Sequence, residues 1–175
     1  MVPHMRLLLL WKFISMTYVY KLNNGGKEQE SAAEAIENNI RKKVVQKIVI
    51  NPAYYSKMSE VLEQLILDRK RGVIAYKHLL ERYLELAKNV SIPEENEHYP
   101  ESIRKSGAMR AFYDNCGEDE QLAIRLHKAV MTSKMDGFRN NPTKENRIKR
   151  ELYKILRDED MVERLYKIVV EQEEY

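Results

Sequence analysis

The sequence predicts an all-α chain, an irregular helical bundle of about six to seven helices with a central antiparallel helical hairpin. Three observations point there. Apolar residues recur at three- and four-residue steps along most of the chain. Six glycines and five prolines in 175 residues leave little material for the many turns of an all-β fold. With 43% hydrophobic and 33% charged residues the composition is globular, and a chain of this length buries about two-thirds of its unfolded surface. The one cysteine, Cys116, excludes an intramolecular disulfide framework and fits a reducing compartment.

Residues 1–30 stand apart from the rest of the chain. The stretch 7–20 is apolar and aromatic, but Lys12 interrupts it, and fourteen residues are too few to cross a hydrocarbon layer of about 30 Å as a helix. A secretory signal is the competing reading, because Arg6 precedes an apolar run. Lys12 breaks that run, however, and no small-x-small cleavage site comes before Asn23-Asn24-Gly25-Gly26. The segment is expected to be a helix that packs on the body, or sequence left at a truncation boundary. The helical domain is expected over residues 31–175.

Ser31-Ala32-Ala33-Glu34 has the form of a capping box and opens a predicted helix to about Lys47, with Ala32, Ile36, Ile40 and Val44 on one face. Its other flank carries Arg41, Lys42, Lys43 and Lys47 with no acid nearby. The hairpin comes next, over residues 51–90. Asn51 can cap and Pro52 suits the first helical position, where its missing donor would be unsatisfied anyway. Tyr55, Met58, Leu62, Leu65, Ile66 and Arg69 form one stripe. Gly72, placed just after Arg69, Lys70 and Arg71 at the negative helix end, stops the helix. Ala75, Leu79, Leu80, Tyr83, Leu84 and Ala87 form the second stripe, expected to bury against the first.

Residues 91–102, with Pro93 and Pro100, read as the longest connector. A short helix over 106–115 is stopped by Gly117. Residues 118–134 carry Leu122, Leu126, Ala129 and Val130 at helical spacing, and 135–142 form a loop. Residues 143–157 use Ile148, Leu152, Ile155 and Leu156. Asp158 can cap a last helix with Met161, Val162, Leu165, Ile168 and Val169 inward.

The residues offer little chemistry. Gly25-Gly26-Lys27 has no phosphate-loop frame and no preceding strand. His4, His78, His98 and His127 are scattered and Cys116 stands alone, so no metal or other cofactor is expected. Glu94, Glu95, Glu97 and His98 read as a solvated acidic linker. A Cys116 thiolate with His127 as base is conceivable, yet a thiol at a helix end before a glycine reads first as a small buried residue. Asp68-Arg69-Lys70 suggests a nuclease pair only on a strand; on a helix the two outer side chains point about 200° apart. The tyrosines fall mostly on or beside apolar faces, which favours packing over base stacking.

A net charge of +3 is too small to argue for nucleic acid, but its distribution is uneven. Residues 134–157 hold eight cations against three acids, a net +5, and residues 158–175 hold two cations against seven acids, a net −5. Adjacent blocks of opposite sign read first as helices that neutralise one another or solvate two faces, and second as a phosphate-binding patch.

Seven strings, AEAIENNIRKKVVQK, NPAYYSKMSEVLEQLILDRKRG, YLELAKNV, YPESI, RAFYDN, NPTKENRIKRELYKIL and VERLYKIV, together resemble the C-terminal helical region of the R subunit of type I restriction enzymes over residues 31–175. Residues 1–30 do not resemble the region that precedes this one in the family. The resemblance implies a cytoplasmic, non-catalytic module that assembles on the modification complex of M and S subunits, with DNA as a candidate neighbour and no membrane. The family's nuclease and motor domains are outside this match, so no catalytic residue carries over. The contact residues expected on this reading are Arg41, Lys42, Lys43, Arg139, Lys144, Arg147, Lys149 and Arg150. The rival expectation is a small helical nucleic-acid binder using the same basic segment.

Overall fold

Helix starts in this chain are written by short polar side chains, because the first N–H groups of a helix have no partner within it. Asn51, Ser106, Asp119, Asn141 and Asp158 each accept from the N–H three residues on, at 3.3, 3.1, 2.9, 3.2 and 3.0 Å. The computed structural model describes residues 26–175, and side chains from Gln29 onward; the expected helix over 7–20 lies outside the described residues. The elements are α1 Gly26–Lys47, α2 Pro52–Arg71, α3 Tyr76–Ser91, a 3-10 turn Pro93–Glu95, α4 Glu101–Arg104, α5 Gly107–Asn115, α6 Glu120–Ser133, α7 Pro142–Leu156 and α8 Glu159–Glu171. No strand occurs among the described residues, and their regular structure is all helical.

The eighth helix is the single turn α4, which lies at the end of the stretch expected to be connector. Helix α1 begins at Gly26 rather than at Ser31, so Ser31 sits inside it and the expected boundary at residue 30 falls within a helix. Residues 27–30 are good helix formers with no breaker among them, and their acids favour a helix start.

The chain divides into two compact units, whose described parts are residues 26–43 with 60–91, and residues 44–59 with 92–175. In the first unit, α2 ends where Gly72 adopts φ +65°, with Val73 N–H donating to the Asp68 carbonyl at 3.2 Å. That closure suits a residue without Cβ. Leu62 and Leu65 of α2 are buried, as are Leu79, Leu80, Tyr83, Leu86 and Val90 of α3. The α3 face is rotated from expectation: Ala75 is exposed ahead of the helix, Leu84 and Ala87 are half-buried, and Leu86 and Val90 take the core. On α1 the expected Ile40 and Val44 are buried, whereas nearer its start the core positions are Ala33 and Glu37, one step beyond the expected and half-buried Ala32 and Ile36.

Glu37 is a carboxylate with 6% exposure. A buried charge needs a partner and hydrogen bonds to persist. Arg69 supplies a forked pair, Nε at 2.8 Å and Nη2 at 3.1 Å to the two carboxylate oxygens, and the Tyr83 hydroxyl donates at 2.5 Å. Arg69 therefore belongs to the buried stripe for an ionic reason.

In the second unit the backbones come closest between α5 and α6, α6 and α7, and α7 and α8. Ala108, Ala111 and Ala123, each at most 1% exposed, permit the approach at α5 and α6. Two loop aromatics, Tyr99 and Phe138, are core anchors at 1% and 2% exposure. The polar centre gathers around one half-buried carboxylate, with the Arg110 guanidinium 5.8 Å over the Tyr99 ring. Asp114 Oδ2 accepts from Asn51 Nδ2 at 2.6 Å and from the Tyr99 hydroxyl at 2.7 Å, and Asn115 Nδ2 donates to Asn51 Oδ1 at 2.9 Å. Burial raises the Asp114 carboxyl above the usual range, and these hydrogen bonds pull it part of the way back.

Candidate interaction face

The eight cations expected at a contact fall into separate classes once their partners are placed. In the first unit Arg41 and Lys42 are exposed on α1, whereas Lys43 donates to Ser91 Oγ at 2.8 Å and burial lowers its pKa. In the second unit Arg139 donates to the Val170 carbonyl at 2.8 Å and to the Gln172 carbonyl at 2.7 Å, closing the C-terminal end of α8. Lys144 donates to the Asp136 carbonyl at 2.6 Å and fastens the loop before α7. Lys149 reaches both Glu163 oxygens at 2.8 Å and lies 4.7 Å over the Tyr166 ring. Arg139, Lys144 and Lys149 thus hold the fold, and the two blocks of opposite charge neutralise each other in part between α7 and α8.

Arg147 and Arg150 remain on the outside of α7. The inward side of this helix is Ile148 and Leu152, so positions 146, 150, 153 and 157, with 143 and 147 beside them, form its outward rows. Arg147, Arg150 and Arg157 are exposed there, and Tyr153 is 38% exposed between them. Lys154 pairs with Glu151 at 2.6 Å. Arg157 ends the helix at φ 56°, its N–H bonded to the Tyr153 carbonyl.

Helix α6 packs beside α7, and Arg147 Nη1 lies 3.5 Å from Met135 Sδ just beyond the end of α6. The outward side of α6 carries Gln121, Arg125, Lys128, Met131 and Thr132, all exposed, opposite the buried Ala123, Leu126 and Val130. The two outward faces therefore present Arg125, Lys128, Arg147, Arg150, Lys154 and Arg157; the acids beside them include Asp136, the paired Glu151 and Asp158, which caps α8 next to Arg157. Arg125, Lys128 and Arg157 were not among the expected contacts. For Arg125 and Lys128 a signal was present: residues 121–135 contain no acid in a chain that has 27.

The other chemical candidates are occupied by packing. Burial pushes the Cys116 thiol up to about 11, which disfavours the thiolate. His127 is held by the Tyr175 hydroxyl at 2.8 Å, and burial lowers its pKa. Asp68 accepts from Gln64 at 2.8 Å while Arg69 turns inward, so no acid–lysine pair forms on α2. Glu94 lies 4.0 Å from Arg110, and the His98 ring packs edge-on near Tyr99 and Tyr113. No group of three or more His, Cys, Asp or Glu that could hold a metal occurs among the described residues. Tyr54, Tyr55, Tyr83, Tyr99, Tyr113 and Tyr166 are buried. No described helix is long and apolar enough to cross a membrane. No protein-family model, no curated protein and no solved structure matches the chain.

Proposed function

We propose that this chain is a non-catalytic assembly module of a type I restriction-modification system, docking in the cytoplasm on the complex of M and S subunits. The ordered strings over residues 31–175 support the family. The observation that carries a contact role is the outward side of α6 and α7, where Arg125, Lys128, Arg147, Arg150 and Arg157 are exposed while neighbouring cations on the same segment are engaged by the fold. Exposed charges held on rigid helices steer and orient a partner more than they add affinity. Arg41 and Lys42 are the corresponding exposed cations of the first unit.

The test is a titration of the purified chain into an M and S complex, monitored by light scattering or calorimetry. Association at micromolar concentration that weakens with salt is expected. No association at that concentration contradicts the reading.

A further inference from the structure

We propose that the groove between α1 and α3 of the first unit is the seat of residues 7–20 of this same chain, which complete a four-helix unit there. The Tyr76 hydroxyl at the start of α3 donates to the Gln29 carbonyl at 2.9 Å, and near the other end Lys43 donates to Ser91 Oγ at 2.8 Å. Helices α1 and α3 therefore lie side by side and run in the same direction. Ala32 and Ile36 stand on the row of α1 that joins Gln29 to Lys43, and Leu84 and Ala87 stand on the row of α3 that joins Tyr76 to Ser91. All four are half-buried, whereas Ala33, Ile40, Tyr83 and Leu86 beside them are buried. Each helix thus carries an apolar stripe wider than the face its described neighbours cover, and the surplus of both lies along one groove. These four are positions that helical periodicity assigns to a core and that three helices leave half-covered.

Chemistry, connection and length select the occupant. Residues 7–20 are apolar apart from Lys12, Ser15 and Thr17, and a run of this kind that is too short to cross a membrane is covered by a protein surface. In the expected helix Lys12 and Ser15, three apart, share one side and leave the rest of the circumference to the groove. Helix α1 begins at Gly26, at the Gln29 and Tyr76 end of the groove. The intervening residues 21–25 are a connection of the length that sets two successive helices antiparallel and adjacent. As a helix, residues 7–20 span about 21 Å, which is the rise of α1 from Gln29 to Lys43. Running back from the start of α1, Trp11 falls level with Ile36 and Leu84. A segment on so short a tether is present at about millimolar effective concentration, which a second copy or another subunit does not match.

Trp11 is the one tryptophan of the sequence, so its fluorescence in the full chain reports on the seat directly. The wild type is expected to show a blue-shifted emission, weakly quenched by acrylamide and unchanged on dilution. Ile36→Ser with Leu84→Ser should shift the emission to the red and raise acrylamide quenching toward that of N-acetyltryptophanamide. Val45→Ser with Val49→Ser changes two exposed valines of the second unit and should leave both readings at the wild-type values. Far-UV circular dichroism of each variant separates loss of the seat from loss of the fold. A second reading leaves the groove intact: on a Cys116→Ser background, a nitroxide on Asn39→Cys, exposed one turn beyond Ile36, should quench Trp11, and a nitroxide on Glu63→Cys, exposed on the outward side of α2, should not. Wild-type emission and quenching equal to those of N-acetyltryptophanamide overturn the proposal, as does quenching from position 63 that equals or exceeds that from position 39. A blue emission that reddens on dilution, together with a dimer mass in light scattering, overturns it in favour of a second copy. No other subunit is present, so these outcomes are independent of the titration into the M and S complex.

Discussion

The two units each draw a carboxylate away from water, Glu37 buried and Asp114 half-buried, and they balance it differently. Glu37 in the first unit meets a forked guanidinium and a phenol. Asp114 in the second meets a phenol and an amide, with no cation in hydrogen-bonding contact. Long side chains of α1, α2 and α3 must be pinned at specific places, and a buried ion pair is selective because any other register strands a charge. In the second unit alanines at α5 and α6 and capped helix starts already define the packing, so neutral hydrogen bonds suffice.

The largest effect should come from breaking the charged balance. Arg69→Met strands Glu37 and is expected to lose about 3–5 kcal/mol in urea unfolding, whereas Arg69→Met with Glu37→Leu should recover most of that loss. A small loss in the single variant would show that Glu37 finds water or another donor. Asn51→Ala comes next, because it removes both the cap of α2 and a donor to Asp114. About 1–3 kcal/mol is expected from thermal or chemical unfolding.

The neutral balance has a pH signature. An acid whose folded pKa is raised contributes stability that is present below its unfolded value of about 3.9 and lost as pH rises through the folded value. Burial raises Asp114. The stability of the wild type relative to Asp114→Asn should therefore fall as pH increases from about 4 toward neutrality. A difference that is flat, or rises with pH, would mean that the hydrogen bonds from Asn51 and Tyr99 outweigh burial.

Legibility in the sequence depends on which interactions are local. Gly72, Asn51 and Asp158 act within one helical turn, and the sequence shows them directly. Of the two expected stripes, Tyr55, Leu62, Leu65, Leu79, Leu80 and Tyr83 are buried, while the phase of α3 shifts toward Leu86 and Val90. Glu37 was hidden because its partners are 32 and 46 residues away, and a glutamate on a helix reads as solvated until they are found. Tyr99 and Phe138 were hidden because a connector carries no periodicity to mark a buried position. For the candidate face, the basic segment could be seen but not divided. Arg139 caps a helix 31 residues away and Lys149 pairs 14 residues away, so their engagement appears only in three dimensions.

That division is the central claim, and adjacent residues on α7 test it most directly. Lys149→Ala and Arg150→Ala should be melted and titrated into the M and S complex side by side. Lys149→Ala is expected to lose about 1 kcal/mol of stability, through Glu163 and the Tyr166 ring, with little change in binding once folded. Arg150→Ala should stay within about 0.5 kcal/mol of the wild type and associate with the complex more weakly, with a shallower salt dependence. The opposite pattern, a destabilised Arg150→Ala beside a Lys149→Ala that folds normally and loses binding, would contradict the account.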